Sequence, residues 1–232
     1  MDILTLASSS KGNCYALKCG ASVLLLEAGI PVSRLRKKLQ AGLSHVVACL
    51  VTHEHGDHAG YVKQFWEAGI NVMATRGTLS SIRYGTVIPE GTEYFLDGWY
   101  IKTFKTKHDA VDPIGYDIEA PDGTRVIFAT DTYLLPYKFH DVNIWMLECN
   151  YDIVLLKENI EAGEVDETQA KRILESHMSV DHVCEFLLHQ DLRKTQAISL
   201  LHGSGRNLNV PQACSRVRAA TGKPVYFGEK LK

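Results

Sequence analysis

The chain has 232 residues, 45% of them hydrophobic and 22% charged, with a formal net charge of -2 at pH 7. That balance is ordinary for a globular α/β protein and excludes attraction of nucleic acid over the whole surface, so any such site is a local basic patch. Six cysteines (Cys14, Cys19, Cys49, Cys149, Cys184 and Cys214) include no Cys-x-x-Cys pair, which argues against a cysteine zinc site and a disulfide framework and predicts reduced thiols in a cytoplasm.

The N-terminus "MDILTLASSSKGN" shows no basic leader and no cleavage-type segment, so a mature, non-secreted chain beginning on a strand is expected. No apolar run reaches membrane-spanning length, since "ASVLLLEAGI" is interrupted by Glu27; no membrane partner is expected. Without repeats, low-complexity tracts or linkers, a single domain over residues 1–232 is predicted.

In chain order, apolar alternation predicts strands near 2–6, 13–18 and 21–26, a helix near 32–40, and a buried strand over "HVVACLVT" at 45–52. A helix near 58–68, a short strand "NVMA", a helix near 76–83, and strands near 92–96, 99–106, 114–119 and 125–129 follow. The turn "APDGTR" marks a hairpin between the last two. Next come a strand "NIWMLEC", helices near 151–160, 166–176 and 180–189, a strand "TQAISLL", a helix near 211–221 and a strand "PVYFG". Two β-rich halves each ending in helices predict two sheets packed together with helices outside.

The stretch "THEHGDHAG" at 52–60 fits neither a strand period nor a helical stripe. The preceding strand delivers His53 and His55 to one side, and Gly56 is expected to let the chain turn so that Asp57 and His58 point inward. Imidazole nitrogen and carboxylate oxygen are ligands that borderline divalent metals prefer, and four in one loop suffice for halves of two neighbouring sites. A solvated histidine-rich loop is the alternative. His108 after "YIKTFKTK", Asp131 at the end of "RVIFATD" and His202 at the end of "AISLLH" are polar residues at the tips of apolar strands. Singly each reads as a cap or a solvated residue; together with the cluster they predict a two-metal site.

His53, His55, Asp57 and His58 form a His-x-His-x-Asp-His motif, and on it the chain resembles the metallo-β-lactamase fold superfamily. The resemblance implies an αββα sandwich of two mixed sheets packed face to face with helices outside. It also implies that His53, His55 and His108 hold one metal, that Asp57, His58 and His202 hold the other, and that Asp131 and a shared hydroxide bridge them. "ASSSKGNCY", "LECNYD", "ESHMS" and "LLHGSGRNLN" resemble stretches of the YycJ (WalJ) group of small nucleases and, more distantly, of RNase Z. This likeness implies a DNA exonuclease; histidine and carboxylate ligands accept zinc, manganese or iron, and two ions of zinc or manganese are expected. By the same likeness, Asp57 also orients the nucleophile and His177 is the proton donor or phosphate contact.

The chain departs from the family in places. Glu27 in "LLLEAG" stands where the family has aspartate, so the carboxylate that orients a ligand histidine reaches from further back. Gly203 replaces a leucine after His202, and Leu208 separates Asn207 from Asn209 where the family has paired asparagines. Only 22 residues lie between His108 and Asp131, enough for a hairpin but not for the RNase Z tRNA-gripping arm. The 45 residues between Asp131 and His177 leave no room for an inserted β-CASP domain.

Ser9, Ser10, Lys11, Gly12 and Asn13 lie between strands, where small polar residues let backbone amides approach a phosphate, or simply form a turn. Lys102, Lys105 and Lys107 beside His108, and Arg206, Arg216 and Arg218 after His202, read as phosphate attraction, whereas "RLRKK" at 34–38 reads as a solvated helix face. Ser9, Ser10, Asn13, Lys107 and Asn207 are the expected substrate contacts. His45, His140, His182 and His189 receive no role. Nucleic acid, DNA before RNA, is the expected substrate, and a cyclic nucleotide cut by a homodimer that covers its site is the nearest rival. Lactone or thioester hydrolysis and a non-catalytic binding module are the others.

Overall fold

The computed structural model of the chain describes residues 1–39 and 42–228, and among them the strands form two mixed sheets. The six-stranded sheet runs from β1 to β6 in chain order: β1 (Asp2–Ala7), β2 (Cys14–Cys19), β3 (Ser22–Leu26), β4 (Val46–Leu50), β5 (Val72–Ala74) and β6 (Thr86–Val87). The second sheet carries β7 (Glu93–Leu96), β8 (Trp99–Lys105), β9 (Ile114–Glu119), β10 (Arg125–Ala129), β11 (Ile144–Glu148), β12 (Ala197–Leu201) and β13 (Val225–Phe227), in the order β13-β12-β11-β10-β9-β8-β7. The chain divides into two compact units, and each is described by itself.

The first unit comprises Met1–Lys105 and Ala110–Thr124, with Gly228. Strands β1, β2 and β3 are antiparallel neighbours, whereas β3, β4, β5 and β6 run parallel. One face of this sheet buries Leu25, Cys49, Val51 and Val72 with Leu35, Leu39 and Phe65 from α1 (Val32–Leu39) and α3 (Val62–Glu67). In α1 the apolar residues Val32, Leu35 and Leu39 recur at helical spacing and are buried, leaving Arg34, Arg36 and Lys37 on the solvated face that the sequence predicts. The antiparallel strands β7, β8 and β9 lie against this sheet. Trp99 Nε1 donates to Ser22 Oγ at 2.8 Å, and Tyr116 Oη donates to the Val51 carbonyl at 2.6 Å. In β8, Trp99, Ile101 and Thr103 are buried and Lys102 is exposed, the period-two pattern of a half-buried strand.

The second unit comprises Thr106–Asp109 and Arg125–Phe227. Its strands β10 to β13 are parallel throughout, and the continuous apolar runs "VIFA", "IWML" and "ISLL" are buried without alternation, as central parallel strands are. Its helices are α5 (Ile153–Glu161), α6 (Glu167–Ser176), α7 (Val180–Leu188) and α8 (Val210–Thr221). Each begins at a polar cap whose side chain accepts from the first helical turn: Asp152, Asp166, Ser179 and Asn209.

Several expectations are corrected. The helix expected over 58–68 is two short helices, α2 (Gly56–Ala59) and α3, interrupted at Gly60 and Tyr61. The strand expected over 45–52 starts after a 3₁₀ turn at Leu43–His45 and ends at Leu50. Residue 40, the expected end of the first helix, lies outside the described residues. The short β6 and the helix α4 (Arg76–Ile82) complete the first unit, and β6 carries too few residues to leave an apolar period.

Candidate metal centre

In the first unit the parallel pair β3 and β4 ends at adjacent positions, Leu26 facing Leu50. Beyond these ends Glu27 turns with φ 66° and donates its amide to the Leu50 carbonyl at 2.9 Å. The fully buried Glu27 carboxylate accepts from Thr52 Oγ1 at 2.6 Å and from Thr52 N at 3.3 Å, and Oε1 lies 3.4 Å from His58 Nδ1. Thr52 Oγ1 is also 2.9 Å from His53 Nδ1. Glu27 thus reaches His58 directly and His53 through Thr52, the relation of a carboxylate that orients imidazole ligands from behind.

His53, His55 and His58 gather there, with ring centroids 4.7 Å apart for His53 and His55 and 4.3 Å apart for His53 and His58. His55 caps α2, and Asp57 and His58 lie within that single helical turn. The expected need for a glycine at 56 is not met: Gly56 has an ordinary φ, and a Cβ there would meet nothing within 4 Å. The glycine that matters is Gly29, where a Cβ would come 1.8 Å from the Asp57 carbonyl oxygen and 2.5 Å from Asn13 N. This close approach lets Asn13 N donate to the Asp57 carbonyl at 2.7 Å.

Asn13 is fully buried. Its Nδ2 lies 3.2 Å from both Asp57 Oδ2 and His58 Nε2, while its Oδ1 accepts from Ser9 N at 3.0 Å and Tyr15 Oη at 3.3 Å. The expected substrate contact is therefore placed among the candidate ligands, tying the Ser9 turn to Asp57. Ser10 is exposed in that same turn.

In the second unit the parallel strands β10, β11 and β12 end side by side. Asp131 and His202 follow two of these ends with φ 45° and 52°, while Glu148 closes β11 opposite Leu201. The two oxygens of Asp131 are divided between two histidines: Oδ2 lies 3.5 Å from His108 Nε2, and Oδ1 lies 3.2 Å from His202 Nδ1. Glu148 Oε1 lies 2.5 Å from His177 Nδ1 and 3.3 Å from His202 Nδ1, while Oε2 accepts from Thr132 N at 2.9 Å and Met178 N at 3.3 Å. His177 caps the end of α6, at the expected junction of two helices, and His108 Nδ1 lies 3.1 Å from the Ser176 carbonyl.

Asp131, Glu148, His177 and His202 each offer a ligand atom, all within 4.8 Å of one another. Glu148 and His177 hold each other in this cluster, which leaves Asp131 and His202 as its carboxylate and imidazole for a borderline divalent ion. Burial alone would lower the His177 imidazole, but the charge and hydrogen bond of Glu148, with Asp131, raise it above its ordinary value. Burial would raise Glu148; the charge and hydrogen bond of His177, with that of His202, hold it below the usual carboxylate range. His108 is lowered, by burial first and the nearby His177 next, against the pull of Asp131.

Glu148 is the residue that sequence reasoning missed. It closes the apolar strand "IWMLE" much as Asp131 follows "RVIFA", and the strand-tip criterion applied there would have found it. Asn150 was missed as well; its Nδ2 donates to the His202 carbonyl at 2.9 Å. Lys107 is exposed and donates its amide to Thr132 Oγ1 at 3.0 Å. Asn207 is buried and accepts from Asn159 Nδ2 at 2.7 Å, which engages its carboxamide oxygen within the unit. Gly203 also finds its reason: a Cβ there would lie 2.5 Å from the Phe227 ring and 2.8 Å from Leu208 Cδ2, so the room a leucine needs is taken.

Comparison with known proteins agrees with this geometry. A family model described as the Metallo-beta-lactamase superfamily matches residues 10–130. Exodeoxyribonuclease WalJ of Streptococcus pneumoniae is 25% identical over 223 residues, covering 87% of this chain and 81% of that protein. Exodeoxyribonuclease YycJ of Bacillus anthracis is 27% identical over 199 residues, covering 77% and 71%. The crystal structure of the metallo-beta-lactamase fold protein YhfI from Bacillus subtilis matches with a TM-score of 0.73 at 13% identity, over 100% of this chain and 99% of its own. The last likeness is one of fold.

Proposed function

We propose that this chain, which belongs to the metallo-beta-lactamase superfamily and is a metal-dependent hydrolase of that α/β fold, cleaves phosphodiester bonds in nucleic acid as a DNA exonuclease. The observation that carries the reading is Asp131, whose two carboxylate oxygens face two different histidines, the disposition of a ligand shared by two ions. The direction toward DNA rests on the two relatives named as exodeoxyribonucleases.

On this reading His53, His55 and His108 would hold one divalent ion, zinc or manganese, Asp57, His58 and His202 would hold the other, and Asp131 would contribute to both. Bound ions supply a nucleophile from water at neutral pH and offset charge on the phosphoryl oxygens. The chain's own residues do the rest. Asp57, held by Asn13 Nδ2, orients the attacking oxygen in line with the scissile bond. His177 carries the proton that the departing alkoxide needs, and Glu148 at its Nδ1 fixes the ring and favours its protonated form. Glu27 with Thr52, and Asn150, hold the ligand histidines from behind. Lys107, Ser9, Ser10 and Asn207 are the proposed contacts to the substrate backbone.

A substrate panel tests the reading. Metal-loaded protein is expected to release nucleotides from end-labelled single- or double-stranded DNA faster than from RNA, with loss of at least about a hundredfold in Asp57→Ala. Turnover of cyclic nucleotides with inert polymers would keep the metal chemistry and replace the substrate. Hydrolysis of a lactone or thioester alone would overturn the phosphodiesterase reading.

A further inference from the structure

Wholly within the second unit lies a cavity of about 380 Å³ walled by Tyr133, Leu134, Tyr137, Met178, His182 and Phe186. Its volume is at the small end of ligand cavities, about 300–1,000 Å³, room for a single base with its sugar. The geometry points to a nucleobase site: this cavity stacks the base of the nucleotide next to the scissile phosphate.

The walls are aromatic and held in place. Phe186 packs edge-on against the buried Trp145 at 5.7 Å, and Trp145 Nε1 is anchored on Thr195 Oγ1 at 2.9 Å. Gln190 clamps the loop that bears Tyr137, accepting from Phe139 N and donating to the Tyr137 carbonyl, both at 3.0 Å. Tyr133 meets His182 edge-on at 5.6 Å and keeps 38% of its surface exposed. Flat rings fixed before a ligand arrives, one of them open to solvent, suit the π-face that every base presents.

The polar groups point the same way. Among the described residues His182 Nδ1 is buried with no hydrogen-bond partner, and such a group is costly unless a ligand satisfies it. The His182 ring lines the cavity, and turning it would bring a nitrogen to a base edge. The carboxylate of Glu185 in the wall disfavours an anion inside, which leaves the phosphate outside with the exposed Lys138. The cavity also begins where the proposed reacting residues end: Met178 follows His177 and donates its amide to Glu148 Oε2, and Tyr133 stands two residues after Asp131. Binding of the base needs no metal; its role in turnover rests on the phosphodiesterase reading.

Two measurements test the site. Adenosine and thymidine, which lack phosphate, are titrated into the full chain while its amide resonances are followed. Binding on the order of 1 mM is expected, with shifts confined to residues 133–138 and 178–190. It should weaken about tenfold in His182→Ala and Tyr133→Ala and recover in Tyr133→Phe. On metal-loaded protein, a dinucleotide is compared with its abasic counterpart; the abasic KM should be about tenfold higher in wild type, and the ratio should collapse toward one in the two alanine variants. Nucleosides that leave the cavity resonances unmoved, or a KM ratio the variants do not change, would overturn the base site and leave the phosphodiesterase reading standing. Nucleoside binding in the cavity with neither dinucleotide cleaved would do the reverse.

Discussion

At the scale of single residues, the candidate centre holds its side chains with strained backbone. Glu27, Asp131 and His202 all carry positive φ just beyond strand ends, a conformation that costs about 1–3 kcal/mol at a non-glycine residue and persists where surrounding structure imposes it. The pair of Glu148 and His177 gives a prediction with a definite sign. In metal-free protein His177 should titrate above its ordinary 6.5 by NMR, because Glu148 outweighs burial. Glu148→Gln removes that charge and leaves the burial, so the value should fall. The stabilisation from the raised His177 is complete below its unfolded value and fades as pH rises through the folded one. That from the lowered Glu148 is complete above its unfolded value and fades as pH falls through the folded one. Wild type should therefore gain over Glu148→Gln only in the window between, read by denaturation across pH; an unmoved His177 titration would sink this account. Gly29→Ala should destabilise by about 3 kcal/mol, since the new Cβ meets the Asp57 carbonyl at 1.8 Å. A melt within a degree of wild type would show that the approach of Asn13 to Asp57 is not fixed. The histidines and Asp131 were legible in the sequence because polar residues at the tips of apolar strands are conspicuous. The work of Asn13 was not, because it depends on a contact across 44 positions.

At the scale of elements, strand ends position the chemistry and polar caps set the helices behind it. The cap Asp166 accepts from Gln169 N at 2.9 Å and opens α6, whose far end presents His177. Asp166→Ala should cost about 1 kcal/mol of stability, seen by denaturation. It should leave the His177 titration in place, because Glu148 holds that ring from a neighbouring strand; a large change would mean that the helix alone sets it. Gly203→Leu should lose about 1–3 kcal/mol by overpacking against Phe227 and Leu208, and an unchanged melt would contradict the explanation given for that departure. The strands and the helices of the second unit follow from apolar runs and cap residues, so their bounds were read to within a residue or two. The pair α2 and α3 was not, because the chain near His58 obeys the geometry of the candidate centre rather than a helical stripe.

At the scale of the whole molecule, the two mixed sheets and the match over residues 10–130 establish the family. No described helix is long and apolar enough to cross a membrane, and among the described residues no disulfide joins the six cysteines, with burial pushing the Cys14, Cys49 and Cys149 thiols upward. The fold was legible because one dense motif and the ligand spacing specify it. Glu148 and the aromatic cavity were not, because they arise from residues brought together by packing. The most direct test is the rate of nucleotide release from end-labelled DNA as zinc or manganese is titrated into metal-free protein. Asp131→Asn is the control, chosen because asparagine tolerates the left-handed backbone at that position. The rate should rise until two equivalents per chain are bound and stay at background in the variant. Full activity at one equivalent, or activity retained in Asp131→Asn, would contradict it.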